Sequence, residues 1–256
     1  MQPLELNSLS WGLLEDAYGT AEQIPRLLAE LERASEEALS ELFGRVCHQM
    51  SVYSSSIAAF PHLIAVASKL KMHPSLQAEA LCLAGAICES HEFEQELHRS
   101  KFAGALEAAL PIATDLAQTS LRKSTDQNEA IYLLKSIAAF GQMQPLARVL
   151  EGFSNEEFTL ECPSCSAELY VWPCTEGLFV AAEDPVSHKQ TERTFVSTIP
   201  GLAREQAEFL WLEQQGLGTA SLSGVRSTLP FLFGQASCPK CAHAFPLFKE
   251  LVAQAA

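Results

Sequence analysis

The sequence predicts a mainly α-helical chain that closes in a small mixed α/β module. Three observations carry this reading. Apolar residues recur with a helical period through most of residues 1–155. β-Prone segments take over near residue 155. Two matching turns, Cys162-Pro163-Ser164-Cys165 and Cys238-Pro239-Lys240-Cys241, then bracket the remainder, each followed closely by a short apolar segment.

The helical elements follow in order. Ile24, Leu27, Leu28 and Leu31 fall at i, i+3, i+4 and i+7, one stripe of a helix. Ser35 with Glu36 and Glu37 is a capped start with acids in the first turn, and Leu39, Leu42, Phe43 and Val46 repeat the stripe. After a break at Met50–Ser54 a third helix carries Leu63, Ile64, Val66 and Ala67, with Pro61 expected to kink it or mark its first turn. Pro74-Ser75 opens another, with Leu76, Ala80, Leu83, Ala84 and Ile87 inward. Stripes at Phe102–Ala113, Ile131–Ala138 and Leu146–Phe153 complete the set. Short helices, paired and separated by brief polar breaks, recur about every 35–45 residues, which suits HEAT-like repeats, in which stacked neighbours complete a core that no pair buries alone. An irregular helical bundle is the competing arrangement.

Residues 156–256 read as a zinc-ribbon-like module with a helical insertion. Phe158–Leu160 and Leu169–Trp172 form a hairpin around the first turn, and Gly177–Ala182 adds a strand. Glu183–Ser197 is expected to be an exposed irregular loop. Pro200 is expected to start a helix with Ala203, Ala207, Leu210 and Trp211 on its inner face, ending at Gly216 and Gly218. A shorter helical piece covers Leu222–Leu229, Pro230–Gly234 leads into the second turn, and Phe245–Val252 closes the chain.

Each Cys-x-x-Cys turn aims two thiolates at one point, and four complete the tetrahedral shell that zinc prefers. Cys162, Cys165, Cys238 and Cys241 are therefore the expected ligands of a structural zinc. A redox pair would need one such motif in a βαβ setting, which the pattern lacks. Cys174, Cys82 and Cys88 read as packing thiols. Cys47-His48 are adjacent, point about 100° apart on a helix and make no catalytic pair.

No phosphate loop, nucleophile elbow, kinase signature or H-E-x-x-H pattern is present, so no enzyme is expected. The net charge of −14 disfavours nucleic acid and anionic membranes and favours basic partners. Residues 151–192 carry nine acids against one base, Lys189. Glu156, Glu157, Glu183 and Asp184 are the expected partner-binding residues, with Glu30, Glu32, Glu36 and Glu37 as the competing cluster. The first residues have neither a basic nor an apolar leader region, and no apolar run suits a bilayer, so a cytoplasmic protein with reduced thiols is expected.

Ala17-Tyr18-Gly19-Thr20-Ala21 running to Pro25-Arg26-Leu27-Leu28, and His48-Gln49-Met50-Ser51-Val52-Tyr53 with Pro61-His62-Leu63-Ile64, resemble a family of bacterial HEAT-like proteins. The tail Leu229–Cys241 is similar to that family's closing ribbon half. The resemblance covers about 50 residues. It implies an immunity protein of a polymorphic or type VI secreted toxin system, one that binds and neutralises a cognate toxin such as a basic nuclease. The other function class is a non-enzymatic adaptor that joins partners through its helices and ribbon. An enzyme using the metal ranks below both, because four cysteine ligands leave no open position.

Overall fold

Most of the helices begin where the sequence offers a cap or a proline. A computed structural model describes residues 2–49, 51–199, 206–215 and 219–255. α1 (Ile24–Leu31) has Pro25 in its first turn and buries Ile24, Leu27, Leu28 and Leu31. α2 (Glu36–Val46) starts at Ser35, whose Oγ accepts the Ala38 N–H at 3.1 Å. α3 (Ser54–Lys69) opens where Ser56 Oγ accepts the Tyr53 N–H, and Pro61 lies well inside it. α4 (Pro74–Cys88) carries Pro74 at its first position. α5 (His91–Arg99) is capped by Ser90, which accepts the Phe93 N–H at 3.1 Å. α6 (Ala103–Leu121), α7 (Gln127–Phe140) and α8 (Gln144–Asn155) follow.

Two compact units form, Met1–Ser124 with Tyr132–Ala147, and Thr125–Ile131 with Arg148–Ala256. In the first, α1 packs on α2, α3 on α4 and α5 on α6, while α3 also meets α1 and α6. Phe60 sits at its centre, edge-on to Phe93 at 4.9 Å and to Phe140 at 6.2 Å. Small residues let the helices close up. A Cβ on Gly85 would stand 2.2 Å from Ser136 Oγ, so α4 and α7 meet there only because residue 85 is glycine. The only sheet described before residue 150 is two minimal hairpins, β1 (Glu15–Asp16) with β2 (Gly19–Thr20), and β3 (Cys47–His48) with β4 (Ser51–Val52).

The second unit is built on an antiparallel sheet, β5 (Phe158–Glu161), β6 (Glu168–Cys174), β7 (Gly177–Ala181) and β8 (Arg193–Phe195) in that order. Alternation is clean in β5 and β6, with Phe158, Leu160, Leu169 and Val171 inward. α9 (Ala207–Gln214) and α10 (Ser223–Leu232) form the insertion, and α10 lies against β7. β9 (Gln235–Ser237) pairs with β10 (Ala244–Pro246), and α11 (Leu247–Ala255) returns to β5. The Gln254 side chain bonds both the N–H and the carbonyl of Glu161, a side-chain stand-in for a fifth strand that closes the sheet edge.

Several details differ from expectation. Cys47 and His48 form β3 rather than lying on a helix. Residues 193–195 are a strand rather than loop. On α9 the buried residues are Phe209 and Leu212, whereas Leu210 is 42% exposed. α10 runs on through Pro230–Leu232, past the expected end of the helical piece at Leu229. α5 was not anticipated. Met50, Pro200, Ala203, Gly216 and Gly218 lie outside the described residues. No described helix is long and apolar enough to cross a membrane.

Candidate metal centre and acidic face

The two Cys-Pro-x-Cys turns fold alike because the backbone needs the same thing twice. Cys162 N–H donates to Ala167 O at 2.8 Å and Ser166 N–H to Cys162 O at 2.9 Å. At the second turn, Cys238 N–H donates to His243 O and Ala242 N–H to Cys238 O, both at 2.9 Å. The residue after each second cysteine is left-handed, Ser166 at φ 53° and Ala242 at φ 58°. The first turn joins β5 to β6 and the second joins β9 to β10.

All four sulfurs lie within 4.8 Å of one another. Cys162 Sγ is 3.7 Å from Cys241 Sγ, and Cys165 Sγ is 3.8 Å from Cys238 Sγ. These are not disulfide distances, and the cysteines are free. Zinc–sulfur bonds of about 2.3 Å at tetrahedral angles put the sulfurs about 3.8 Å apart, so the two shortest separations match such a shell and the donor set is compatible with a metal ion. Cys162 and Cys238 are buried, while Cys165 and Cys241 are exposed.

Backbone dipoles prepare the sulfurs for charge. Burial raises the Cys162 thiol, but the N–H groups of Cys165 and Ser164 outweigh it and bring Cys162 down to about 7. The Lys240 and Cys241 N–H groups play the same part at Cys238, where burial and the neighbouring thiols prevail and push it up to about 12. The four thiols act as one proton pool. The first proton leaves easily into a cage of donors, and each later one works against charge already present. A divalent cation removes that penalty for all four.

The expected acidic residues are only partly brought together. Asp184 and Glu168 both act electrostatically on Glu157, and all three act on Tyr170. Burial and then Asp184 raise Glu157, while the nearby Trp172 indole N–H favours its charge without reaching normal hydrogen-bond geometry. Asp184 is lowered by Ser187 and Val186, which hold its two oxygens at 2.6 and 2.9 Å. Glu183 is exposed beside it, and Glu156 is exposed in a left-handed turn at the end of α8. Neither figures in the leading interactions of the group. Glu168 and Tyr170 were missed by sequence reasoning. Their signal was the period of β6, which turns Glu168, Tyr170 and Trp172 to one face while Leu169 and Val171 go inside. In the first unit, Glu30 pairs with Arg26 at 2.8 Å and Glu32 with Lys69 at 2.8 Å. Glu37 bonds its own cap residue Ser35.

The chain matches no protein-family model, no curated protein and no solved structure.

Proposed function

We propose that the chain is a non-enzymatic cytoplasmic immunity protein that binds and neutralises a secreted toxin, a basic nuclease, by offering carboxylates where the enzyme takes phosphates. The observation that carries this reading is the group Glu157, Glu168 and Asp184 around Tyr170, to which no Lys or Arg among the described residues bonds. A fixed acidic face steers a basic partner to fast association and penalises acidic ones. The net charge of −14 and the resemblance of the Tyr18–Leu28 and His48–Ile64 segments support it further. Helix pairs α1/α2, α3/α4 and α5/α6 support a HEAT-like reading of the first unit. The four cysteines hold zinc, a closed shell that organises the second unit and leaves no site for substrate.

The test is co-expression with the product of the reading frame beside this chain's own, and stopped-flow association of the purified pair. The triple variant Glu157→Lys, Glu168→Lys, Asp184→Lys should associate at least ten-fold more slowly at low salt and lose most of the ionic-strength dependence. Unchanged association and salt slope would reject carboxylate mimicry. A neighbouring reading frame with no toxicity would reject the immunity role.

A further inference from the structure

Ala17–Thr20 and His48–Gln49 are far apart in sequence, yet the Tyr18 and His48 rings meet, and hydrogen bonds of neighbouring residues hold both stretches in place. Asp16, buried, holds Arg45 at 2.9 Å and accepts the Tyr18 N–H at 2.8 Å. Ala17 N–H donates to Arg45 O, and Glu15 N–H donates to Ser54 Oγ. Ser56 Oγ accepts from Tyr53 N–H and donates to Val46 O. These contacts fasten the two hairpins to α2 and α3.

What they leave outward is Tyr18, 66% exposed, with His48 edge-on to its ring at 5.8 Å and the Arg45 guanidinium 5.4 Å from its centroid. Its hydroxyl rests over Gly44. The tyrosine is thus an aromatic side chain held rigid in water, the property of an interface anchor and not of a core residue. The adjoining 3₁₀ turn at Leu9–Leu13 adds Leu9 at 95% and Leu13 at 84% exposure. That turn is itself fixed, because Trp11 between them is buried and donates its indole N–H to Glu5 O. Charge says what fits. The Arg45 guanidinium beside Tyr18 is answered by Asp16 and Glu41, which leaves Glu5, Glu15 and Glu22 as the other acids of residues 2–25, a stretch that holds no Lys, Arg or His. Glu15 and Glu22 are exposed, with Glu22 lying over Gly12 between the two leucines.

We propose that Leu9, Leu13, Tyr18 and His48 form a protein-docking surface for a basic polypeptide segment. The segment places an aliphatic side chain on the leucines and Tyr18, and a Lys or Arg at Glu15 and Glu22. A second copy of this chain would bring the same acids face to face, and an anionic membrane would meet the same repulsion. The surface is independent of the toxin reading and of the ribbon carboxylates.

The probe is a fluorescent peptide of alternating lysine and leucine, titrated into the full chain by anisotropy beside a lysine–alanine peptide of equal charge. The leucine peptide should bind at least ten-fold tighter. Leu9→Ser with Leu13→Ser, and separately Tyr18→Ala, should erase that difference, while the Glu157/Glu168/Asp184 lysine variant should keep it. Should the leucine variant fold poorly, leucine-methyl NMR of the unaltered chain reads the same point, with the Leu9 and Leu13 signals shifting on titration. Equal affinity for the two peptides, or shifts confined to other leucines, would overturn the proposal. So would sedimentation showing a dimer that Leu9→Ser with Leu13→Ser converts to monomer, since the occupant would then be a second copy.

Discussion

Glu89 and Lys135 face each other at 3.1 Å in the first unit, with side chains only 5% and 8% exposed. Taking both charges out of water is costly, and the pair persists because each compensates the other. Removing one partner should therefore hurt more than removing both. Lys135→Met should cost about 3–5 kcal/mol in urea unfolding, and Glu89→Leu with Lys135→Met should recover most of the loss. If the double variant is no better than the single, the pair is not the unit of stability. Nothing in the sequence announced this pair, because its members stand at the end of α4 and inside α7 with no local spacing to link them. The thiols were far more legible. The repeated Cys-Pro-x-Cys turns singled out the four cysteines that the fold brings together, and the others are dispersed. Cys88 donates its thiol to Ala139 O, and burial, then Glu89, raises both Cys88 and Cys47. Alkylation at neutral pH should spare Cys47 and Cys88 in the folded protein, with or without chelator. Cys165 and Cys241, both exposed, should react after chelation and be protected by added zinc, as peptide mass mapping would read directly.

At the scale of elements, the hairpin between β6 and β7 turns on Gly177. Its φ is 122°, outside the range of L side chains, and a Cβ there would lie 2.5 Å from the Phe231 ring of α10. Gly177→Ala should destabilise the second unit by roughly 2–4 kcal/mol, the sum of backbone strain and overpacking. Adding Phe231→Ala should relieve the steric part and leave the strain, so a double variant as unstable as Gly177→Ala alone would contradict this account. An element with a stripe and a cap, such as α2, was readable in advance because one helix face and one terminus carry the whole signal, whereas α4 is buried nearly all round and was marked by Pro74 and its apolar run. The misreadings have physical reasons. β8 is a short polar strand made by its neighbours, pairing with β7 and laying the Arg193 guanidinium 4.7 Å from the Phe179 ring centroid. Among the described side chains of α5, Phe93 and Leu97 are the buried ones, too few for a stripe, although Ser90 with Glu92 and Glu94 is a cap signal. On α9 the insertion core selects Phe209, which meets Phe233 edge-on at 5.4 Å, over the equally apolar Leu210 and Trp211. Periodicity finds a helix, but tertiary packing chooses its face.

For the molecule as a whole, metal should govern one unit and not the other. The four cysteines tie residues 162–165 to 238–241, so one centre closes a loop containing β6, β7, β8 and the inserted helices. Closing so long a loop restrains the unfolded chain, and an ion that binds only the folded form adds stability by mass action, about 4 kcal/mol at a thousand times its dissociation constant. The first unit has no share in that linkage, since its core of Phe60, Phe93 and Phe140 is closed without the centre. Chelation should therefore lower one of two thermal transitions by at least ten degrees and leave the other within about two. Cys162→Ser should do the same irreversibly, with zinc content falling to background and most of the far-ultraviolet helical signal retained. Proton release gives an independent reading. Thiolates would be the ligands and binding would displace their protons, so zinc affinity should climb with rising pH and acidification should expel the ion. A reduced, zinc-supplemented protein whose two transitions ignore both chelator and pH would show that the four thiols pack without a metal.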